Sequence, residues 1–539
     1  MNSSQKSTNF KFSKLTYRQY LALSIIFSKY ILKKEYPSVD ELKQKIEFDT
    51  DRMLEITLKA LNQKGFLEYF GDLNYKINEN ALKHSERFVD PLLLIDNYYD
   101  VKKLIRETKT KNKKNFDVDI STKFVPIPNF FTNDSLRKLN GVDNIFHRWY
   151  TYLADFPNSL VFTKFKEYGI TSTHLVYDPF CGSGTTLVTS KLLGIDSIGF
   201  DVNPIPAFVS KIKTTWNIDI DEFKKTASKI LLNFKNISSN FSNIRLENDL
   251  VHSMGYIEFH QWLKPKTQND VILMRELISR IKTESIKDLF KLALIESATE
   301  SSNASFCPGT SFYPFRKKPE FYDAFKNKLQ TMAEDLIISK NIKKIGTSKV
   351  FTDDCRKSSK FIKPHSVDFI FTSPPYPNDM EYTRQTRLDL FLLDYVNNLN
   401  DVQKIKRNMI KGSTKLIFKE SNSCQHVENN QTIQNIANDV ATNLKGKEWG
   451  WDYPRMIREY FGDMHLSLQE FHKVLKPGSF ALLVVGDQTC KNILIPVGKI
   501  LGKMALDIGF STMKLELFRE RRSTLHTMAL NEEILILKA

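Results

Sequence analysis

The sequence predicts an α/β protein preceded by a smaller, mainly helical unit. Two observations predict this class. In roughly the first 80 residues, apolar side chains recur at helical spacing. From about residue 115 onward, short β-prone apolar runs alternate with amphipathic helical stretches, the pattern of a sheet covered by helices. A length of 539 residues, with 41% hydrophobic and 26% charged residues, suits a folded protein of several domains.

The N-terminal unit, residues 1–100, is predicted to be a winged helix-turn-helix. After a first amphipathic helix, Ser38 and Glu41 form a capping box at the start of a second helix. A third helix, ended by Gly65, precedes a hairpin that turns at Gly71. In such a unit the third helix enters a major groove. Candidates for phosphate contacts are Arg52, Lys59 and Lys64. A helical cap that only packs on its neighbour or mediates dimerisation is the alternative.

A basic linker, residues 101–120, follows this unit. Seven basic residues and one acidic residue occupy the thirteen positions from Lys102 to Lys114. Such a run is either a solvated segment or a tract along a phosphate backbone. The whole chain has 78 Lys and Arg against 62 Asp and Glu, a formal net charge of +16. This excess favours a polyanionic partner if it lies on one face, but it does not distinguish DNA, RNA and an anionic membrane surface.

A glycine-rich turn is the strongest local signal for function. A β-prone run ends at Asp178, Gly182 and Gly184 follow in a turn, and an amphipathic helix begins. Glycines at a strand-to-helix turn let the backbone approach a ligand, and the helix N-terminus favours a negative group. Asp201 ends the next predicted strand, where a carboxylate accepts from ribose hydroxyls. With Asp178 suited to an ammonium group, the turn fits S-adenosylmethionine. The G-x-G-x-x-G of dinucleotide folds is absent.

A second motif, Ser373-Pro-Pro-Tyr376, follows the β-prone run Val367–Phe371. It is therefore expected at the carboxyl end of a parallel strand, where such sheets bind ligands. Its two prolines stiffen the loop and leave carbonyls that only accept hydrogen bonds. An exocyclic amine presents two N–H donors, and the Ser373 hydroxyl and a proline carbonyl are suitable acceptors for them.

Together, the segment from Asp178 to Thr186 and the Ser373-Pro-Pro-Tyr376 loop resemble the motifs of the DNA amino-methyltransferases. This family uses S-adenosylmethionine to methylate exocyclic amino groups of bases. The resemblance implies a Rossmann-like, seven-stranded methyltransferase fold over residues 121–539, finished by an antiparallel hairpin. It also implies that the target base is flipped out of the duplex and stacks on Tyr376, because its amino group is otherwise paired.

The resemblance also assigns the site residues. The implied catalytic residues are Ser373, Pro374, Pro375 and Tyr376. The implied cofactor-binding residues are Ser159, Asp178, Phe180, Gly182, Gly184, Thr185, Thr186, Asp201 and Asp354. Ser159 lies on a segment like the helix that closes over the methionine end of the cofactor. Asp354, better aligned than Asp353, takes the position that accepts from the adenine amino group. Leu468–Leu475 is expected to be a helix, followed by a turn at Pro477-Gly478 and the next strand.

The order of the two motifs departs from many relatives, in which the glycine motif comes second. The circular order around the fold is unchanged, but the target-recognition element is harder to place. Two segments compete for it, a helical insertion at 205–345 and a second insertion at 378–452. The first contains Phe315–Lys318, among aromatic and basic residues. The second contains Tyr382, Arg384, Arg387, Lys404, Arg407 and Lys411. Either insertion could instead be a packing element.

The target base is predicted to be cytosine. In this family, Ser in the first position of the tetrapeptide favours the N4 atom of cytosine and Asp favours the N6 atom of adenine, which stays the alternative. A C5-cytosine enzyme needs a thiolate nucleophile, and no Pro-Cys motif occurs, since Cys307 stands before its proline. The five cysteines are far apart and lack metal-ligand spacing, so no metal site is predicted.

The leading hypothesis is therefore a site-specific methyltransferase for double-stranded DNA in a bacterial restriction-modification or related defence system. A separately encoded cognate restriction endonuclease is a candidate partner. The alternatives are an RNA amino-methyltransferase and a DNA-binding regulator with an inactive methyltransferase body. The N-terminus is polar, and no run approaches the ~18 apolar residues of a membrane span, so a cytoplasmic protein without a membrane partner is predicted.

Overall fold

The structure, a computed structural model, describes parts of 19–30, then 36–46, 51–82, 145–152, 156–238, 262–305, 311–340, 342, 344–448, 450–522 and 529–539. The chain divides into two compact units. The first comprises residues 1–148, 155–170 and 333–343, and the second comprises 149–154, 171–332 and 344–539. The predicted basic linker, residues 101–120, lies outside the described residues.

The N-terminal part of the first unit has the second and third predicted helices and the hairpin, whereas the first predicted helix lies largely outside the described residues. This part contains α1 (Val39–Ile46), α2 (Asp51–Gln63), β1 (Leu67–Gly71), β2 (Asn74–Ile77) and α3 (Glu79–Leu82). The Glu41 amide donates to the Ser38 hydroxyl (3.1 Å) at the start of α1, which confirms the cap. Gly65, with a φ of 81°, follows α2, and a shared apolar cluster that includes Leu58 and Phe66 lies beneath the hairpin. Whether this unit is a winged helix that binds DNA stays a prediction.

The second unit contains a seven-stranded sheet. Its strands are β3 (Leu175–Asp178), β4 (Asp196–Phe200), β7 (Ser348–Phe351), β8 (Val367–Thr372), β9 (Leu475–Gly486), β12 (Thr512–Arg522) and β13 (Ala529–Lys538). Their spatial order is β12-β13-β9-β8-β3-β4-β7. The five neighbouring strands β9, β8, β3, β4 and β7 run parallel to one another. Strand β13 is antiparallel to both β9 and β12. The mostly parallel seven-stranded sheet and its antiparallel end are therefore as predicted.

The strand order reverses between β3 and β8. From β3 the chain adds β4 and β7 on one side of the sheet, then returns to add β8 and β9 on the other. Open α/β sheets bind ligands beyond the carboxyl ends of the strands at such a reversal, because the two connections leave in opposite directions and open a crevice. Both predicted motifs directly follow these two strands.

Helices and two small hairpins complete the described chain. The remaining helices are α4 (Asn158–Glu167), α5 (Thr185–Leu192), α6 (Pro204–Lys213), α7 (Ile220–Ser238), α8 (Pro265–Ser279), α9 (Glu284–Glu300), α10 (Phe321–Ser339), α11 (Tyr382–Gln385), α12 (Arg387–Leu392), α13 (Leu399–Asn408), α14 (Gln431–Asn443), α15 (Tyr453–Val474) and α16 (Val497–Ile508). The hairpins are β5 (Ala304–Ser305) with β6 (Ser311–Phe312), and β10 (Gln488–Cys490) with β11 (Ile493–Ile495). No described helix is both long and apolar enough to cross a bilayer.

The start of β9 differs from the sequence prediction. Helix α15 ends at Val474, and Leu475 already pairs with Val367 of β8, so strand pairing begins before the expected turn. The register then shifts before Phe369 pairs with Phe480, and Gly478 has a φ of 81°. The Pro-Gly pair is therefore an irregularity within β9 and not a turn before it. Pairing with β8 extends β9 toward its N-terminus, and the spacing of residues in the sequence does not reveal this pairing.

Helix α15 packs in the main apolar cluster of the second unit. This cluster includes Tyr177 of β3, Leu483 of β9, and Tyr460 and Phe471 of α15. The ring of Tyr177 meets the ring of Phe471 edge to face, with centroids 6.3 Å apart. Burial of these side chains removes apolar surface from water and holds the neighbouring strands in a fixed relation beneath the site.

Candidate active site

The two predicted motifs meet at the carboxyl ends of β3 and β8. Asp178, the last residue of β3, is buried, and its Oδ1 accepts from Oγ1 of Thr372, the last residue of β8 (2.6 Å). The hydroxyl of Thr186, on α5, donates to the Phe371 carbonyl (3.3 Å). The glycine turn and the Ser-Pro-Pro-Tyr loop are therefore hydrogen-bonded neighbours, as the resemblance requires.

The glycine turn needs glycine for both conformation and space. Gly182 and Gly184 have φ values of 49° and 90°, in the left-handed region that disfavours other residues. A Cβ added to Gly184 would lie 2.5 Å from the Ser210 hydroxyl on α6. Helix α5 begins at the next residue, so its first amides face the space beyond the strand ends, where they suit a negative group.

Asp201 follows β4 directly and accepts two backbone hydrogen bonds. Its Oδ2 accepts from the Gly182 amide (3.2 Å) and its Oδ1 from the Asn203 amide (2.8 Å). Burial raises the pKa of Asp201 to about 7, although both amides act in the opposite direction. Each carboxylate oxygen has a further lone pair for a donor, so the residue suits a ligand with hydroxyl groups.

The other predicted residues of the turn are packed around it. Phe180 lies edge to face against Phe471, with centroids 6.2 Å apart, and its amide donates to Asp178 (3.1 Å). Thr185 and Thr186 are buried in the first turn of α5. These contacts fix the turn within the second unit.

The carboxylate of Asp354 forms an ion pair with Arg356. The carboxylate accepts from Nε of Arg356 (2.9 Å) and Nη2 of Arg356 (2.7 Å), and it caps a 3-10 helix at Cys355–Lys360. The same guanidinium is ion-paired with Asp463 of α15. Asp353, half-buried beside it, uses Oδ1 to accept from the Asp354 amide (2.7 Å). The structure thus gives Asp354 an ion pair that sequence reasoning did not anticipate.

Ser159 belongs to the other compact unit. It lies on α4, is buried, and its carbonyl accepts from the Thr163 hydroxyl (2.8 Å). Its predicted place near the cofactor therefore stays a prediction.

In the Ser-Pro-Pro-Tyr loop, two hydroxyls converge on one backbone carbonyl of β9. Ser373 Oγ donates to the Val484 carbonyl (3.1 Å), and Tyr376 Oη lies 3.4 Å from the same oxygen. Because the Ser373 hydrogen is directed at Val484, its oxygen lone pairs remain able to accept from a ligand N–H. The two prolines between these residues contribute carbonyls but no amide donors.

Glu532 is a site residue that sequence reasoning missed. This buried carboxylate on β13 accepts from the Tyr376 hydroxyl (3.2 Å), and Arg519 on β12 is ion-paired with it. Arg519 and Glu532 are cross-strand partners in the terminal hairpin. The sequence does place opposite charges on the two predicted strands, which is a signal for a cross-strand ion pair. The register of the two strands could not be predicted from the sequence, so the pairing of Arg519 with Glu532 was missed.

The segment after Tyr376 is anchored by residues of the second predicted insertion and by the first residue of α15. Asp379, with a φ of 61°, accepts from the hydroxyls of Ser413 (2.8 Å), Thr414 (2.9 Å) and Tyr453 (2.8 Å). Burial alone would raise the pKa of Asp379, but these hydrogen bonds outweigh it and hold that pKa below its usual value. A Cβ added to Gly412 would lie 2.6 Å from the Tyr376 carbonyl oxygen, so this position has space only for glycine.

The strand order of the sheet, with the glycine turn and the Ser-Pro-Pro-Tyr loop at its reversal, is that of the Rossmann-like methyltransferases. The sequence also matches the N6/N4 DNA methylase family over residues 30–206 and 367–536, and the chain belongs to that family. The match omits 207–366, the segment that contains helices α7 to α10.

Several curated relatives are similar over most of their length. The Type II methyltransferase M.BsoBI of Geobacillus stearothermophilus is 25% identical over 412 residues, 70% of this chain and 81% of the relative. M.AvaI of a Nostoc species is 25% identical, over 68% of this chain and 80% of the relative. M.MvaI of Kocuria varians is 23% identical, over 66% of this chain and 80% of the relative. Both are also named Type II methyltransferases.

Proposed function

We propose that this protein transfers a methyl group from S-adenosylmethionine to the exocyclic amino group of a flipped base in double-stranded DNA, at N4 of cytosine. The observation that carries the proposal is the orientation of Ser373. Its hydroxyl hydrogen is donated to the Val484 carbonyl (3.1 Å), so its oxygen is an acceptor, and the preceding residue, Thr372, is hydrogen-bonded to Asp178 before the glycine turn. An acceptor suits an amine and does not suit a carbonyl substrate.

The residues of the glycine turn fit S-adenosylmethionine by their donor and acceptor chemistry. When bound, the cofactor would supply an electrophilic methyl group, whose bond to sulfur breaks as the bond to the amine nitrogen forms. S-adenosylhomocysteine would then be the leaving group, and the methylated amine would release one proton. Asp201 has carboxylate lone pairs for the two ribose hydroxyls, and the first amides of α5 suit the carboxylate of the methionine end. Asp178 supplies a buried negative charge for the ammonium group. Phe180, Thr185 and Thr186 support this turn, with Ser159 and Asp354 as the remaining proposed contacts.

The loop residues then prepare the amine for attack. Ser373 and the Pro374 carbonyl accept the two N–H groups of the exocyclic amine, which draws the nitrogen lone pair out of conjugation with the ring. Pro375 keeps the loop stiff, so the acceptors need little reorganisation. Tyr376, whose hydroxyl is held by Glu532 and Val484, offers its ring face to the base. A base reaches this loop only after leaving the duplex stack.

The choice of cytosine N4 rests on the serine of the tetrapeptide. An N6-adenine enzyme of this family is expected to carry aspartate there, and the residue is Ser373. Direct transfer needs no covalent enzyme intermediate. Cys181, Cys355 and Cys490 are buried, and burial raises the pKa of each thiol, which opposes nucleophilic attack by a thiolate.

Duplex DNA within a restriction-modification system is the proposed biological setting. The relatives named Type II methyltransferases cover most of this chain and support it. In that setting the protein protects one recognition sequence from a separately encoded restriction endonuclease. The N-terminal unit, residues 1–100, is proposed to add a winged-helix contact to the duplex, and the domain from 121 to 539 performs the transfer.

The test incubates the protein with labelled S-adenosylmethionine and either unmethylated genomic DNA or tRNA, followed by nucleoside mass spectrometry. We expect label in DNA as N4-methylcytosine. N6-methyladenine would overturn the cytosine assignment, and label confined to tRNA would overturn the DNA assignment. No transfer to either substrate, with the cofactor bound, would favour a regulator with an inactive methyltransferase body.

A further inference from the structure

The first insertion carries an exposed tip that is both aromatic and basic. It follows the β5–β6 hairpin and spans residues 313–318. Phe315 is fully exposed at 101% and Tyr313 is 52% exposed. Arg316 and Lys317 are exposed beside them. The nearest acid in the sequence, Glu320, is engaged elsewhere, since it pairs with Lys266 (2.5 Å).

The base of this tip is well fixed. The Tyr313 amide donates to the Asn303 carbonyl (2.8 Å), and the Asn303 amide donates to the Trp262 carbonyl (2.7 Å). Trp262 is fully buried, and its ring meets Phe312 edge to face at 5.3 Å. The exposed Phe315 is therefore presented by a packed stem, which lowers the entropy lost when it meets a partner.

Hydrogen bonds connect α9, the helix before this hairpin, through α12 to the segment that follows Asp201. Asn203, two residues after Asp201, donates through its side-chain amide to the Thr386 hydroxyl (2.9 Å) at the start of α12. Asp389, one turn further along α12, accepts from the Thr299 hydroxyl (3.1 Å) in the last turn of α9. The β5–β6 hairpin follows α9 within a few residues, so these contacts connect its root, through α9 and α12, to the segment after Asp201.

Three of the basic residues that the sequence analysis singled out in the second insertion are already neutralised or buried. Arg407 is ion-paired with Glu420, and Lys404 with Asp401 (2.9 Å). Lys411 is buried, and its ammonium donates to the backbone carbonyls of Arg407 and Met409 (2.8 Å each). Cations that are already neutralised or buried gain less from a phosphate backbone than exposed cations do.

We propose that the 313–318 tip is the element of the first insertion that contacts duplex DNA. Arg316 and Lys317 bind backbone phosphates, and the Phe315 ring stacks on bases beside the flipped nucleotide. A planar apolar ring flanked by cations matches the stacked bases and phosphates of a duplex. The inference rests on the proposed function, because it takes DNA as the substrate, and it assigns DNA contact to the first insertion.

The test measures binding of the full chain to unmethylated duplex DNA by fluorescence anisotropy across a salt series. Phe315→Ala should weaken binding about tenfold, and Phe315→Trp should restore it. The double variant Arg316→Ala/Lys317→Ala should reduce the slope of log affinity against log salt by about 1.8, because each phosphate contact contributes about 0.9. Thermal unfolding of these variants should match wild type, since the changed side chains are exposed.

Two controls make the result specific. Lys349→Ala/Lys363→Ala removes two exposed charges at the amino ends of β7 and β8, the opposite edge of the sheet, and should leave the salt slope within 0.5 of wild type. Trp451→Ala removes an exposed aromatic side chain from the second insertion. If the hairpin variants bind like wild type, or if Trp451→Ala causes the larger loss, the assignment is wrong. Wild-type protein that transfers no methyl group to DNA overturns the proposed function instead, because binding is measured separately.

Discussion

The two loops at the centre of the site are held in different ways. Apart from its two hydrogen bonds to β8, the glycine turn after β3 is fixed by residues near it in the sequence, since Asp178 accepts from the Phe180 amide and Asp201 accepts from the Gly182 amide. The loop after β8 is fixed by distant residues. Ser373 contacts Val484, 111 positions away, and Tyr376 contacts a carboxylate on β13, 156 positions away.

Because the two loops have different supports, we expect cofactor binding and methyl transfer to respond to different substitutions. The glycine turn is expected to bind its ligand with little help from the antiparallel end of the sheet. The Ser-Pro-Pro-Tyr loop depends on β9, β13 and the segment around Gly412 for its geometry. Substitutions among these supports should therefore reduce methyl transfer and leave cofactor affinity unchanged.

The largest expected effect is at the loop itself. Ser373→Ala and Tyr376→Ala should each reduce the single-turnover rate of methyl transfer by about a hundredfold or more, because each removes a group that we propose contacts the base. Affinity for S-adenosylhomocysteine, measured by calorimetry, should stay within about twofold of wild type. Ser366→Ala, at the amino end of the same strand, is the matched control and should retain full activity. Full activity of both loop variants would refute the catalytic assignment.

A slightly smaller reduction of the transfer rate is expected from a substitution at Gly412, which packs against the Ser-Pro-Pro-Tyr loop. Gly412→Ala places a methyl group 2.6 Å from the Tyr376 carbonyl oxygen, so the loop must move. A displacement of this size near reacting groups should reduce the transfer rate by up to about a hundredfold. Single-turnover kinetics combined with cofactor calorimetry would measure it. An equal loss of cofactor affinity would contradict the separation between the two loops.

A tenfold effect is expected on the cofactor side, and it depends on pH. Asp201 has a pKa of about 7, raised by burial, so only about one-tenth of it is ionised at pH 6. Ribose hydroxyls donate to the ionised form, so affinity for S-adenosylhomocysteine should rise about tenfold from pH 6 to pH 8 and then level off. Asp201→Asn should bind weakly with no such rise. If the variant keeps the pH dependence of wild type, Asp201 is not the titrating group.

The smallest effect is expected from the Glu532 contact. Glu532→Ala removes one acceptor of the Tyr376 hydroxyl, worth about 1 kcal/mol or roughly fivefold in the transfer rate. Tyr376→Phe should cost a similar amount. If the carboxylate acts through this hydroxyl, the double variant should be no slower than the slower single variant. Strictly multiplicative losses would indicate that Glu532 acts independently of Tyr376.

The same contrast explains what the sequence could predict. The glycine turn, the Ser-Pro-Pro-Tyr loop and the Ser38 cap were predictable, because short motifs and local patterns encode them. The seven-stranded sheet was predictable only through the family resemblance that the two motifs carry. The roles of Glu532 and Asp379 were not, because they depend on strand register and on loops distant in the sequence. The Arg356 ion pair of Asp354 was missed although the two residues are neighbours, since side-chain direction decides it.

The hydrogen bond between Thr372 and Asp178 connects the loop proposed to bind DNA with the turn proposed to bind the cofactor. It joins the last residues of two strands, each of which leads into one of the two proposed ligand sites. On the proposed function, we expect a ligand that orders one strand end to restrain the other as well. The two binding equilibria would then be coupled, and DNA would tighten cofactor binding by the same factor by which the cofactor tightens DNA binding.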